Sequence, residues 1–170
     1  MVAKEQQLID LATVVPILIG VLIGLVPPWL ARKQRLRTHW SAMRAEIKMC
    51  HEKALEHRNR QPEVMAPLYR LPTVAYVTSF PVLLADAAIS EVDIATISDF
   101  YDMVHQLNRG LDLAANENNP VKLDQLHARN KIKVGHILDA ERDRSSLFER
   151  AVAVADRKIN GRWWRYDSKA

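Results

Sequence analysis

Two pairs of acidic and imidazole side chains have the spacing of metal ligands on a helix. Asp102 precedes His105 by three residues and Asp124 precedes His127 by three, so the members of each pair share a helix face. Bundles that bind two iron ions use such pairs, but with glutamate and with two further inward carboxylates. The single cysteine also excludes a zinc cluster of the usual kind. The sequence therefore predicts solvated polar positions, no metal site and no cofactor.

A third pair, Arg129 and His136, lies seven residues apart, which places both on one helix face within reach of a single phosphate. With Asn130 after the arginine, this pattern resembles the spaced arginine–histidine signature of HEPN domains, helical bundles that often cleave RNA across a dimer. The resemblance implies that Arg129 is a phosphate ligand and His136 an acid/base. The chain also resembles CRISPR-accessory proteins that join one N-terminal membrane helix to a HEPN-like bundle and oligomerise.

Other catalytic patterns are not found in the sequence. It contains no phosphate-binding loop, nucleophile elbow or dinucleotide fingerprint. The spacing of the third pair also recurs at Arg32/His39 and Arg44/His51, so the spacing has little specificity. The favoured interpretation is a non-catalytic protein that oligomerises or binds a partner. The alternative is a membrane-tethered effector, either a HEPN-like nuclease or an oligomeric pore.

An uncharged apolar run, residues 11–31, determines whether the chain is attached to a membrane. About 20 helical residues span a bilayer core, so this run is long enough to cross a membrane. A cleaved signal peptide would have a basic start and small residues before the cut. In this chain, cleavage after Ala31 would place the large side chain of Trp29 three positions before the cleavage site, which argues against processing. The sequence predicts an uncleaved transmembrane helix over residues 11–31, with residues 1–10 as a short extracytoplasmic segment.

Basic residues lie mainly on the C-terminal side of this run. Only Lys4 precedes it, and by the positive-inside rule the N-terminus is then outside and the C-terminus cytoplasmic, in the inner (plasma) membrane. Trp29 has the position of an interfacial aromatic anchor. The residues expected at this membrane interface are Trp29, Arg32, Lys33, Arg35 and Arg37.

Gly20 and Gly24 form a G-x-x-x-G pattern inside the run. Two glycines one turn apart leave a flat strip on which a second helix can pack closely, although glycine can also serve only to bend a membrane helix. The expected partners are therefore membrane lipid and either a second copy or another protein. Nucleic acid is a less favoured partner.

Residues 32–160 are expected to form a cytosolic, all-α, antiparallel bundle of about four helices, because strong helix formers dominate and apolar and polar residues do not alternate. The first helix should continue from the membrane span to near His57, with a kink or an end at Pro27-Pro28. One face of it carries apolar or small residues four and three apart, at Leu36, Trp40, Met43, Ile47, Cys50 and Ala54.

Three more helices are predicted. A short helix after Thr73 should break at Pro81, and the next should begin at Ser90, which has an acidic residue three positions later. The last is expected over about residues 121–159, with a polar centre, residues 139–146, that bends, breaks or protrudes.

The C-terminal segment, residues 161–170, is a Trp-rich basic tail whose role the sequence leaves open. Tryptophans can pack on the domain, sit in a lipid headgroup layer or stack on a partner. Separately, Pro67–Thr73 and Asn108-Arg109-Gly110 resemble segments of small bacterial single-pass membrane proteins with a cytosolic helical domain. That resemblance implies the architecture and no activity.

Overall fold

A computed structural model describes residues 2–59, 69–86, 89–140 and 145–161, except for the side chains of residues 2–13 and of Leu22. The predicted all-α fold is confirmed, with one long apolar N-terminal helix followed by a packed helical bundle. The described residues form α1 (Val2–Asn59), α2 (Val74–Ala85), α3 (Glu91–Ala115), α4 (Pro120–Leu138) and α5 (Leu147–Asn160).

The chain divides into two compact units, residues 1–38 and residues 39–170. In the first unit the described apolar side chains from Val14 to Leu30 are exposed, with 67% of Ile23 and 66% of Leu25 accessible to solvent. Within the described residues, α1 is the one helix long and apolar enough to cross a membrane. Such a helix is compatible with a membrane anchor or with a signal sequence.

The second unit has its own core. The predicted apolar face of α1 is confirmed, since Trp40, Met43, Ile47 and Cys50 are fully buried. Alternating steps of three and four residues keep these side chains on one helix face. Residues three or four apart on one face of α3 are also buried, at Ile97, Tyr101, Val104, Asn108 and Leu111, while Ile94 on the same face is half-buried.

Side-chain caps set the starts of three helices. The predicted start at Ser90 is confirmed, because its Oγ accepts a hydrogen bond from the backbone N–H of Asp93 at 3.3 Å. Asn119 caps α4 in the same way. Ser146 and Glu149 form a reciprocal capping box at the start of α5.

One sequence-based boundary was wrong, because α2 continues through Pro81. Of the two outcomes expected at Pro27-Pro28, a kink or an end, the end is contradicted, since α1 continues through both prolines. A proline removes one backbone donor, and in α2 the burial of Phe80 and Leu83 around it compensates for that loss. Of the outcomes expected at the polar centre of the last predicted helix, the structure shows a break, because α4 ends at Leu138 and Ser146 caps a new helix, α5.

Candidate functional site

A polar cleft of about 390 Å³ lies between the segment that precedes α2 and the middle of α3. Ligand-binding clefts usually have volumes of about 300–1,000 Å³, so this cleft has room for a small ligand or for a side chain of a partner. Its lining consists of Arg70, Leu71, Thr73, His105, Asn108, Arg109 and Asp112.

The wall formed by the segment before α2 is fixed by Asn108. Its Oδ1 accepts a hydrogen bond from the backbone N–H of Leu71 at 2.7 Å, and its Nδ2 donates to the carbonyl of Leu71 at 2.9 Å. From α1, the Cys50 Sγ donates to the carbonyl of Pro72 at 3.2 Å. These contacts satisfy backbone groups that no helix or sheet satisfies, and they hold the segment against both helices.

The cleft has an excess of positive charge. Its one carboxylate, Asp112, is engaged by Arg70, with 2.6 Å between Oδ2 and Nη2. Among the described residues no carboxylate forms an ion pair with Arg109, which is exposed four residues after His105 on α3. An exposed arginine fork recognises carboxylates and phosphates. The lining is therefore suited to an anionic group.

Behind the cleft, Glu46 of α1 takes over the capping of α2. Thr73 is the N-cap residue, but its side chain makes no capping hydrogen bond. Instead, Glu46 accepts hydrogen bonds from the backbone N–H groups of Ala75 at 2.6 Å and Tyr76 at 3.0 Å. A carboxylate suits this position, because the N-terminus of a helix carries partial positive charge. The Thr73 hydroxyl is thus left on the cleft wall.

Glu46 and Cys50 are buried next to each other, and neither is placed for catalysis. Burial, and then the charge of Glu46, raises the pKa of the Cys50 thiol well above its ordinary value. A buried, protonated thiol is a poor nucleophile. His39 and Ser79 form a second pair, with 3.1 Å between Nδ1 and Oγ. Ser79 is only 4% exposed, so a substrate carbonyl cannot reach its hydroxyl.

Arg129 and His136 are both exposed on α4, and neither lines the cleft. Seven helical residues separate them by about 10 Å along the axis. Their role as phosphate ligand and acid/base stays a prediction.

The side chains of the two pairs with metal-ligand spacing are all exposed. They are Asp102 and His105 on α3, and Asp124 and His127 on α4. No group of three or more His, Cys, Asp or Glu side chains among the described residues could hold a metal ion.

The residues predicted for the membrane segment are exposed to different degrees. A Cβ atom placed on Gly20 or Gly24 would meet nothing within 4 Å, so this strip of α1 is open. Trp29 is 55% exposed, and the Lys33 Nζ lies 5.2 Å from the centre of its ring. Arg32, Arg35 and Arg37 are exposed, and Lys33 is half-buried.

Sequence reasoning did not find Arg70, Arg109 and Asp112 as parts of a site. One signal was present, because Asn108 interrupts an otherwise apolar face of α3. A buried amide needs hydrogen-bond partners, so its position predicts that an irregular backbone segment packs opposite. Comparison with protein-family models, curated proteins and solved structures found no match to this chain.

Proposed function

We propose that this protein is a single-pass membrane protein, anchored by residues 11–31, whose cytoplasmic bundle acts by binding a partner and not by catalysis. The observation that carries the proposal is the exposure of the described apolar side chains from Val14 to Leu30, Leu22 excepted. Exposed apolar area costs about 25 cal/mol per Å² in water and is stabilised in lipid. A helix also satisfies its own backbone groups inside a bilayer.

The proposed orientation rests on residues at the C-terminal end of this run. Trp29 presents half of its surface to solvent beside Lys33, the arrangement of an interfacial aromatic and a cation directed to the headgroups. The basic cluster that follows is retained on the cytoplasmic side during insertion. The N-terminus is then outside the cell and the C-terminus inside.

The cleft is the surface of the bundle best suited to a partner. Arg109 has no carboxylate partner in the described part of the chain, and Asp112 is already engaged by Arg70. The proposed occupant is an acidic side chain of a protein, either another copy or a different chain. The open strip at Gly20 and Gly24 supports close packing of two anchors.

The anchor is tested in cells by alkaline extraction of membranes, by the mass of the purified chain and by a reporter fused after Ala170. We expect retention in the membrane, an uncleaved N-terminus and a cytoplasmic reporter. Neutralising Arg32, Lys33, Arg35 and Arg37 should randomise the orientation. Neutralising three exposed basic residues of α4, Lys122, Arg129 and Lys131, is the control for loss of positive charge elsewhere in the chain. A shortened, extractable chain would contradict the proposal.

Partner binding is tested with a photo-crosslinking residue at position 73, on the wall of the cleft. Adducts formed in intact cells should disappear when Arg109→Glu reverses the charge of the cleft. They should persist in Arg129→Glu, which makes the same change on an exposed helix face outside the cleft. Equal adducts in both variants would exclude the cleft as the binding surface.

A further inference from the structure

The helix α2 packs on two neighbours and leaves its third face outside the bundle. Toward α3, the ring of Tyr76 stacks on that of Tyr101 with 4.2 Å between centroids. Toward α1, the Oγ of Ser79 lies 3.1 Å from the Nδ1 of His39. These contacts account for the two inner faces of α2, so the remaining face points away from α1 and α3.

Four apolar side chains form a row along this outer face. They follow one another at steps of three, four and three residues, which keeps them on one side of the helix. Val74 is 72% exposed, Val77 63% and Leu84 40%, and Pro81 is exposed as well. We call these four residues the α2 stripe. None of the residues of α2 is charged. Single exposed apolar residues are ordinary on a surface, but a contiguous row of them is typical of an interaction site.

The α2 stripe begins next to the polar cleft. Thr73, on the cleft wall, directly precedes Val74. The ring of His105, which also lines the cleft, lies 6.0 Å from that of Tyr76 in the first turn of α2. One surface of the second unit therefore carries a row of apolar side chains about 15 Å long. At one end of that row is the cleft with Arg109, which forms no ion pair with a carboxylate of the described residues.

An amphipathic helix has the form that matches this surface. Its apolar side chains recur every three or four residues and can pack between those of the α2 stripe, as the side-chain rows of two helices do. Peptide helices that bind to protein surfaces use apolar residues at these intervals. An acidic residue at one end of such a helix would reach the cleft, where the guanidinium of Arg109 can bind a carboxylate. Spacing and charge are both complementary.

Other occupants match the surface less well. A helix that lies in a lipid headgroup layer carries lysine and arginine on its polar face, and α2 contains neither. A second copy would offer its own α2 stripe, and α2 contains no acidic residue that could pair with Arg109. The Trp-rich tail is not assigned as the occupant, because residues 162–170 lie outside the described residues.

We infer that the α2 stripe and the cleft form one docking surface for an amphipathic helix of another protein, with an acidic residue of that helix at Arg109. The inference rests on the proposed binding of an acidic side chain in the cleft, and it specifies the structure that presents this side chain. The bound helix covers about three turns of α2 and removes the α2 stripe from water.

Photo-crosslinking residues at positions 77 and 84 of the full-length chain, placed one at a time in intact cells, test the α2 stripe apart from the cleft. The two positions lie about 10 Å apart on one face of α2. Their adducts should join residues about seven positions apart in one partner segment. The adduct at position 73 should join the same segment beside an aspartate or glutamate. Position 132 is the matched control, because Ile132 on α4 is 62% exposed and lies outside this surface, and it should give no such adduct.

A pair of variants measures the contribution of the α2 stripe to binding in the cleft. Val77→Lys should lower the yield of the position-73 adduct about tenfold or more, because it places a charge in an apolar contact. Ile132→Lys makes the corresponding change at an apolar side chain of nearly equal exposure on α4 and should leave the yield unchanged.

The remaining outcomes overturn the inference. Adducts of positions 77 and 84 to lipid or to a second copy, or attachment sites scattered over several segments, would assign the α2 stripe another occupant. A position-73 adduct that Arg109→Glu abolishes and Val77→Lys does not would leave the proposed function standing without the docked helix. Absence of adducts at positions 73, 77 and 84 would contradict both.

Discussion

The hydroxyl of Tyr101 donates a hydrogen bond to Oε1 of Glu46 at 2.8 Å, which joins α3 to α1 inside the bundle. The same carboxylate accepts the N–H groups of Ala75 and Tyr76 at the start of α2. Burial, followed by the charge of Glu46, raises the pKa of Tyr101, so the phenol remains a donor throughout the physiological range. One side chain thus connects three helices.

Replacing Glu46 should therefore destabilise the bundle more than its size suggests. Glu46→Gln removes the charge from three hydrogen bonds and points an amide donor at other donors, at a cost of about 2 kcal/mol. Tyr101→Phe should cost about 1 kcal/mol. Thermal unfolding in detergent measures both. Glu56→Gln is the control, since Glu56 pairs with Lys53 on the surface and should change stability by about 0.5 kcal/mol or less. Equal melting temperatures for the two glutamine variants would contradict this role.

The ion pairs of Asp93 make stability depend on acid pH. Burial raises the pKa of Asp93, but hydrogen bonds from Lys158 and Ser90 and the charges of Lys158 and Arg157 outweigh it and lower the pKa below its ordinary value. The folded state then binds the proton less tightly than the unfolded chain. This contribution is complete above the unfolded pKa of about 4 and is lost as pH falls through the lower folded value.

Asp93→Asn should lower the melting temperature at neutral pH, by a change in stability of about 2 kcal/mol, and should flatten the profile below pH about 4. Asp139→Asn removes a carboxylate that is 62% exposed and paired with Arg58, and it should change little. If wild type and Asp93→Asn lose stability in parallel as the pH falls, Asp93 is not the source of the dependence.

Gly110 permits the close approach of α3 and α4. A Cβ atom at this position would collide with the amide oxygen of Asn130, which is 5% exposed. The polar atoms of the Asn130 side chain have no hydrogen-bond partner among the described residues. Gly110→Ala should therefore destabilise the protein by about 2 kcal/mol. Asn130→Ala should cost less, because it also removes an unsatisfied amide.

Combining the two changes tests this contact directly. In the Asn130→Ala background, Gly110→Ala should become stabilising by up to about 1 kcal/mol, since only the higher helix propensity of alanine remains. Gly135→Ala is the matched control in α4, where the nearest atom to the new Cβ is 3.5 Å away. Additive effects at positions 110 and 130 would show that the collision is relieved in another way.

The open strip on α1 predicts self-association through the anchor. Gly20→Ile with Gly24→Ile should shift the detergent-solubilised protein from dimer toward monomer, because close packing is the main attraction between membrane helices. A Cβ atom at either position meets nothing within 4 Å, so we expect the fold to be unchanged. Val21→Ile with Leu25→Ile changes apolar side chains beside the strip without filling it and is the control. An unchanged mass, measured by light scattering, would assign any oligomer to the bundle.

Regular helices were predictable because their signals are local. The spacing of Trp40, Met43, Ile47 and Cys50 defines a buried face before any partner is known, and all four side chains are buried. For the segment over residues 121–159 the sequence left open whether its polar centre bends or breaks the helix, and the structure shows a break. Its ends carry apolar faces, but whether a polar stretch continues or breaks a helix depends on what packs beside it.

The cleft was not predictable by the same route. Asn108 meets Leu71 across 37 positions, and Arg70 meets Asp112 across 42. Neither residue of such a pair has a local pattern that identifies the other. Glu46 likewise looks like an ordinary helix former in α1, and only the tertiary structure shows that it caps α2.

The hydrogen bond from Cys50 to Pro72 has a practical consequence for following the protein in a membrane. The single thiol is enclosed in the core, so it reacts with a modifying reagent only when α1 and the segment at Pro72 separate. The rate of its modification under native conditions thus measures how often the bundle opens, without any denaturant that would disturb the bilayer. Local unfolding can therefore be followed through Cys50 in the unaltered chain, without an introduced probe.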